Sequence, residues 1–582
     1  MRQICLLQYN GIDLMLSNEI NDFEGEYTMS INLNSTMLKQ QAVKADDRPN
    51  SLILLTVLLL SVFMAVVNVF IVNVATPSIQ RGLQSSFSSL QFVVAGYTLS
   101  YAVALIIGGR LGDRFGRKKI LFIGMAGFTL TSLICGLAVD VNMLIVFRIL
   151  QGLSAAMIAP QVLSLIQVNY AAEKRGAIFG MYGAAQGIAA TTGQVIGGVL
   201  MRWNPWGLEW RMVFFFSVAV GILIMLLIPF INESKSSEHA KLDWIGAFSV
   251  AGGLLMLIYP LVQGQKEGWP LSLNLVLILS LPVLIGFVWY EKRVTRKGGV
   301  PFMNVQLFQQ KLFTVGMLIA ILLYSAQGAF FLIMAYFLQI GLGFAALKAG
   351  LVILPMGIGY FLASLYTAKA IARFGAYTLT IGSILTFAGY IALALSVKAT
   401  GIDFAGYEWI PALFLLGVGQ GMIAAPLTNS VLSKIRGTDV GSASGILTTG
   451  IQTSYALGIV LIGVLLLNSM GSHTAAVNGK IAPMLQQSLS VIQVKADESS
   501  LVLQQFNNSD YVQANDPSSL PKSCAVNYDS PEVKNLFNQS LKMANAENYA
   551  DSFQICLYAL AIVTLGIFPL SLMLARRKRA IV

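Results

Sequence analysis

Long apolar stretches alternate with short polar connections from residue 51 almost to the end of the chain. Fourteen of them stand out, near 52–76, 90–109, 119–138, 143–166, 176–200, 212–231, 244–263, 272–290, 312–340, 348–368, 377–397, 408–432, 441–467 and 553–575. A helix needs about 20 apolar residues to cross a hydrocarbon core ~30 Å thick, and most of these stretches have that length. A membrane β-barrel would show blocks of about ten residues with alternating polarity, and the chain has none. The pattern predicts an all-α polytopic membrane protein with 14 transmembrane helices.

The segments fall into two related groups. "DRFGRKKI" after the second segment is echoed by "ARFGAYTL" after the tenth, matching Arg114, Phe115 and Gly116 to Arg373, Phe374 and Gly375. "GLSAAMIAP" in the fourth is echoed by "GQGMIAAP" in the twelfth, and "GIAATTG" in the fifth by "GILTTG" in the thirteenth. The expected organisation is therefore a six-helix half over 51–231, an inserted helix pair over 244–290, and a second six-helix half over 312–575. Two such halves rocking about a midplane site form the architecture of alternating access. Residues 1–50 are polar, lack a signal-peptide pattern, include Met15, Met29 and Met37 as alternative starts, and are expected to be disordered. The long polar connection 468–552 is expected to form a partly ordered cap, and 576–582 a basic tail.

Composition agrees with a membrane protein. Of 582 residues, 56% are hydrophobic and only 11% charged, with a mean hydropathy of +0.70. A soluble protein carries about 25% charged residues. The net charge of +11 could suggest a nucleic-acid partner, but its placement argues otherwise. With both termini set in the cytoplasm, the short connections and the C-terminal tail on that side hold 22 Lys and Arg, against six on the other. That asymmetry is the positive-inside signature. It makes 468–552 external and leaves no reason to expect nucleic-acid binding. Cys5, Cys135, Cys524 and Cys556 are too scattered for a disulfide framework. No metal-ligand cluster, no nucleophile–base set and no cofactor motif is present, so no enzyme is expected. The expected partners are a small-molecule substrate and the lipid bilayer of a plasma or inner membrane. The chain is expected to act as a monomer, with a proton gradient as the candidate energy source.

The most specific stretch is "GGRLGDRFGRKK". Gly109, Gly112 and Gly116 permit a tight helix–loop–helix turn. Asp113 is the one carboxylate among Arg110, Arg114, Arg117, Lys118 and Lys119. In the fourth segment, Arg148 and Gln151 are three apart and share a helix face. A cation there costs about 2.5–3.5 kcal/mol by insertion scales and must face protein or water; snorkelling at a helix end is the bland alternative. In the fifth, small residues at 180, 189, 193 and 197 suit close helix packing.

These stretches resemble the signatures of the major facilitator superfamily, and the 14-helix count resembles its drug–proton antiporter branch, over residues 51–575. The resemblance implies a conformational latch at Gly109, Asp113, Arg114, Gly116 and Arg117. It implies substrate and proton handling at Arg148, in the pattern Arg148, Gln151, Gly152. Departures are informative. Gln194 stands where the antiporter signature places proline, and Asn68 where the family's first helix carries aspartate, with Phe70 in place of a threonine. Met212, Ser217 and Ala219 also depart from that pattern. Asn73 matches it and is expected to make an interhelical hydrogen bond.

No Asp or Glu lies well inside a segment; Asp113, Asp140, Glu209, Asp403, Glu408 and Asp439 sit at ends or in connections. Asn68, Tyr97, Tyr101, Arg148, Gln151, Gln186, Gln194 and Gln420 are the candidates for an uncharged, hydrogen-bonding cavity. Such a cavity disfavours dications, because proton exchange and cation binding both call for a buried carboxylate. The expected function is secondary transport, exporting amphipathic compounds. A carrier for an anionic or polar metabolite and a transporter-like sensor without flux are the alternatives.

Overall fold

The computed structural model describes residues 7–9, 12–14, 51–170, 172–234, 243–299, 301–375, 377–402, 406–432, 439–492, 494–507 and 530–579. Sixteen α-helices follow one another among them. The first half comprises α1 Ser51–Leu83, α2 Phe87–Phe115, α3 Arg117–Gly136, α4 Val141–Asn169, α5 Ala172–Trp203 and α6 Met212–Leu227. The inserted pair is α7 Trp244–Glu267 and α8 Leu271–Arg296. The remainder is α9 Lys311–Tyr336, α10 Ala346–Phe374, α11 Tyr377–Thr400, α12 Ile410–Leu432, α13 Asp439–Val491, α14 Ala496–Asn507, α15 Pro531–Leu565 and α16 Ile567–Arg579.

Every predicted apolar segment carries a helix, the last being shared by α15 and α16 across a break at Gly566. Twelve spans are long and apolar enough to cross a membrane; α5 and the shorter apolar run Ile410–Ala424 of α12 account for the other two. The one sheet among the described residues is a hairpin in the tail, Leu7–Tyr9 against Ile12–Leu14. The rest of residues 1–50, and with it the expectation of disorder, lies outside the described residues, as does Cys524.

The sequence echo becomes a packing echo. In the first half α2 packs on α4, α3 on α4, α1 on α5 and α3 on α6. In the second, α10 packs on α12, α11 on α12, α9 on α13 and α11 on α15. The halves meet along two seams, α2 against α13 and α5 against α10. Close approach along α5 uses its small residues: a Cβ on Gly197 would lie 2.5 Å from Val74, and one on Gly198 would lie 2.6 Å from the Leu347 backbone. We call the two ends of the bundle the latch end, at Gly116, and the cap end.

The described residues of the connection 468–552 are almost all helical. α13 continues unbroken to Val491, a helix of 53 residues and therefore ~80 Å long. Beyond the apolar stretch, Val477, Ile481, Leu485 and Leu489 recur every four residues and form a buried stripe. That stripe packs on Val502 and Phe506 of α14 and Phe537 of α15 in a core separate from those of the bundle. Asn548 of α15 donates to the Met470 carbonyl (3.0 Å) and to Thr474 (3.3 Å), tying the cap to the membrane helices.

Candidate functional site

Asn68 on α1, Arg148 and Gln151 on α4, and Ser132 on α3 are all fully buried and form one polar knot. Arg148 donates from Nη1 to Asn68 Oδ1 and to Gln151 Oε1 (2.6 Å), and from Nε to the Val93 carbonyl of α2 (3.0 Å). Gln151 donates to Ser132 (2.6 Å), and the Asn68 amide to Ser217 of α6 (3.1 Å). The guanidinium also lies over the Tyr97 ring, 4.2 Å from its centre, while the Tyr97 hydroxyl donates to the Ala65 carbonyl. One arginine thereby connects five of the six helices of its half. Snorkelling is ruled out, because Arg148 is 0% exposed. Its Nη2 has no hydrogen-bond partner.

A second knot lies in the other half, on α9, α11, α12 and α13. Gln327 on α9 accepts from Tyr455 on α13 (2.8 Å) and donates to Gln420 on α12 (3.3 Å). Gln420 in turn donates to Tyr390 on α11 (3.3 Å). The offset that relates Arg114 to Arg373 also relates Asn68 to Gln327. Aromatic contacts join the two halves beside the knots. Phe70 meets Phe331 at 4.8 Å and Tyr455 at 5.8 Å, and Tyr455 meets Tyr324 at 5.5 Å. Toward the cap end the halves are closed by Gln339 donating to the Val74 carbonyl (2.9 Å) and by Phe87 against Tyr336 (4.8 Å).

The stretch expected to act as a latch is a turn between α2 and α3. Gly116 adopts φ +106°, in the region that disfavours residues with a Cβ, and a Cβ there would lie 2.8 Å from the Glu233 carboxyl. Asp113 pairs with Arg117 at 2.9 Å. Glu233, in the stretch after α6, accepts from the backbone N–H of Lys118 (2.9 Å) and Lys119 (3.1 Å), and so caps the start of α3. Arg117 also donates from its backbone to the Ser234 carbonyl.

The family described as Major Facilitator Superfamily matches residues 58–459, more than half of the chain. This chain belongs to the Major Facilitator Superfamily. Among relatives, it is 31% identical to the "Puromycin resistance protein pur8" of Streptomyces alboniger over 72% of this chain and 83% of that one. It is 29% identical to the "Probable actinorhodin transporter" of Streptomyces coelicolor over 88% of this chain and 89% of the relative. A "Drug efflux pump JefA" of Mycobacterium tuberculosis is 28% identical over 71% and 80%. Among solved structures, a bacterial homologue of the human lysosomal transporter Spinster, inward-facing and unoccupied, matches with a TM-score of 0.57 at 17% identity. That match covers 90% of this chain and 98% of the other, and it concerns the fold.

Within this superfamily fold the sequence candidates separate into groups. Asn68, Tyr97, Arg148 and Gln151 lie together in the first knot, with the Tyr101 ring 6.0 Å from that of Tyr97. Gln420 belongs to the second knot. Gln186 is half-buried and within 3.4 Å of its helix neighbour Tyr182. Gln194 is fully buried with no hydrogen-bond partner for either side-chain atom. Asn73 is buried, and its side-chain oxygen accepts no hydrogen bond, which leaves only the amide nitrogen for the interhelical bond expected there. One expectation is corrected. The segment ending at 290 left Glu291 in a connection, whereas α8 continues for another turn and a half and carries Glu291 with 0% exposure. It is the one fully buried carboxylate among the described residues.

Several participants escaped the sequence reading. Ser217, noted as a departure, proves to be the Asn68 partner. Gln327 was signalled by the repeat offset. Ser132, Tyr390, Tyr455 and Glu233 had no sequence signal, because only helix packing brings them to the network. Asp140 serves as the N-cap of α4, accepting from the Met143 N–H at 2.9 Å.

Proposed function

We propose that this protein is a secondary transporter that exports amphipathic, predominantly aromatic compounds of neutral or anionic character by alternating access. The observation that carries this reading is a pair of buried polar knots, one in each half, with aromatic contacts joining the halves beside them and no fully buried carboxylate at either knot. Aromatic rings supply a large apolar surface with preferred edge and offset geometries. Glutamine, asparagine and tyrosine supply donors and acceptors without selecting for a cation. The names of the relatives, which refer to actinorhodin, puromycin and drug efflux, support export. The charge asymmetry supports a latch end in the cytoplasm and a cap outside the cell. A second reading, a carrier for an anionic metabolite, is favoured by one feature: Arg148 has an unpartnered Nη2 and no carboxylate among its hydrogen-bond partners.

The deciding experiment is flux in liposomes with imposed pH and voltage gradients. Neither asparagine nor arginine titrates between about pH 6 and 8. Wild-type flux should therefore change only modestly across that range, and neutral and anionic aromatics should outcompete dications. Asn68→Asp should reverse that order by placing a carboxylate in the first knot. Steep proton-driven exchange by the wild-type protein would reject the carboxylate-free site and point to Glu291 as the group that exchanges protons.

A further inference from the structure

The inserted pair α7–α8 is not an appendage to one half. α7 packs across the α2–α13 seam, with Val250 and Leu254 sharing one core with Ala95 and Leu99 of α2 and with Ala456 and Val460 of α13. The connector that follows α8 spans the halves as well. Phe302 is buried in that bridging core, while Leu307, five residues on, is 2% exposed within the core of the second half beside Phe313 and Leu427. Met303 packs against both cores. The connector is thus held by the second half at one end and needs a hold on the first half at the other.

Arg110 supplies it. Of the five cations in the latch stretch, Arg117 serves Asp113 and Arg114 lies over the Phe115 ring, but Arg110 turns away and donates to the Pro301 carbonyl of the connector. Its guanidinium lies in the field of Asp243 and Glu291 of the inserted pair. Both carboxylates are bound to the connector backbone: Glu291 accepts from the Met303 N–H (2.9 Å) and Asp243 from the Phe302 N–H (3.2 Å). Asp243 also caps α7 through the Gly246 N–H and accepts from the Tyr290 hydroxyl (3.1 Å). Gly246 makes room for this cluster, since a Cβ there would lie 2.3 Å from Glu291 Oε1.

We propose that the inserted pair and its connector form a strap across the latch end of the α2–α13 seam, with Arg110 as the buckle and Glu291 and Asp243 as the residues that position it. Opening this end moves α2 away from α13, which touch there through Thr449 donating to the Ala102 carbonyl (3.1 Å). Because Leu307 travels with the second half and Arg110 with the first, the Arg110–Pro301 contact must break or carry the strap with it. The strap therefore stabilises the closed arrangement of this end, and it does so through residues outside both polar knots.

The test uses the full chain in membranes with cysteines replacing Ile106 and Gly445. A Cβ at Gly445 would lie 3.5 Å from the Ile106 side chain, so the pair reports closure of this seam. The cross-linking rate, taken per protein present, should fall roughly five- to tenfold in Glu291→Gln and in Arg110→Gln. The double variant should be no slower than the worse single, because both changes remove one shared contact. Wild-type rates in both single variants, or strictly additive losses in the double, would overturn the strap. If Arg110→Gln fails to reach the membrane, Tyr290→Phe removes one hydrogen bond to Asp243 at nearly constant volume and should slow the same reaction to a lesser degree. An unchanged rate there, with Glu291→Gln also unchanged, overturns the proposal equally. No substrate is involved, so this result stands apart from the fate of the efflux reading.

Discussion

Arg148 shows how much one side chain can organise. Its guanidinium reaches Asn68, Gln151 and the Val93 carbonyl at once while covering Tyr97. A lysine is a point charge with no planar fork and cannot serve those directions together. Each lost hydrogen bond to a charged group is worth about 1.5–3 kcal/mol. Arg148→Lys should therefore lower the melting temperature of the purified protein and cut flux by at least tenfold, read by thermal unfolding and liposome transport. Wild-type values for both would mean that the knot tolerates a simple point charge.

At the scale of elements, the α2–α3 turn depends on one backbone conformation and one cap. Gly116→Ala puts a Cβ both at φ +106° and against the Glu233 carboxyl. Strain of this kind costs about 1–3 kcal/mol, so the α2–α3 turn should loosen and flux should fall while membrane abundance holds. Asp113→Asn, which removes the ion pair to Arg117 but leaves the turn intact, should reduce flux without that strain. Measuring both variants in the same vesicles separates the turn from the charge. The cap is a different kind of element. Its core is its own, so Phe506→Ala should cost about 3–5 kcal/mol locally. The result should be faster proteolysis within 468–552 and an unchanged fragment pattern from the membrane helices.

For the whole molecule the decisive property is orientation, which charge placement sets and the helix bundle alone does not. Lys174→Cys and Lys297→Cys should be labelled only from the cytoplasm in sealed cells, and the natural Cys524 only from outside. Labelling of Cys524 from the cytoplasm would invert or break the 14-helix arrangement. The structure also gives the inserted pair a role in this larger design, since it lies against both halves at the seam where they must part.

The sequence by itself determined the class, the apolar spans, the twofold repeat and the place of the glycine-rich α2–α3 turn. Each of these is written in a local or periodic pattern: apolar length, repeat offset, or glycine and charge at fixed spacing. It also exposed Asn68, Arg148 and Gln151, because a polar group inside an apolar run is conspicuous. Only the tertiary structure decided which of these meet. Asn68 and Ser217 are 149 residues apart, and Gln327 and Tyr455 are separated by 128. Such partners are chosen by helix packing, which no local pattern records. The core inside the expected cap went unread for a related reason. Its stripe of Val477, Ile481, Leu485 and Leu489 is too sparse to register as apolar and becomes a core only when α14 and α15 fold against it. Glu291 was hidden by its charge, which marked a helix end to the eye, while the connector backbone and Arg110 made its burial affordable.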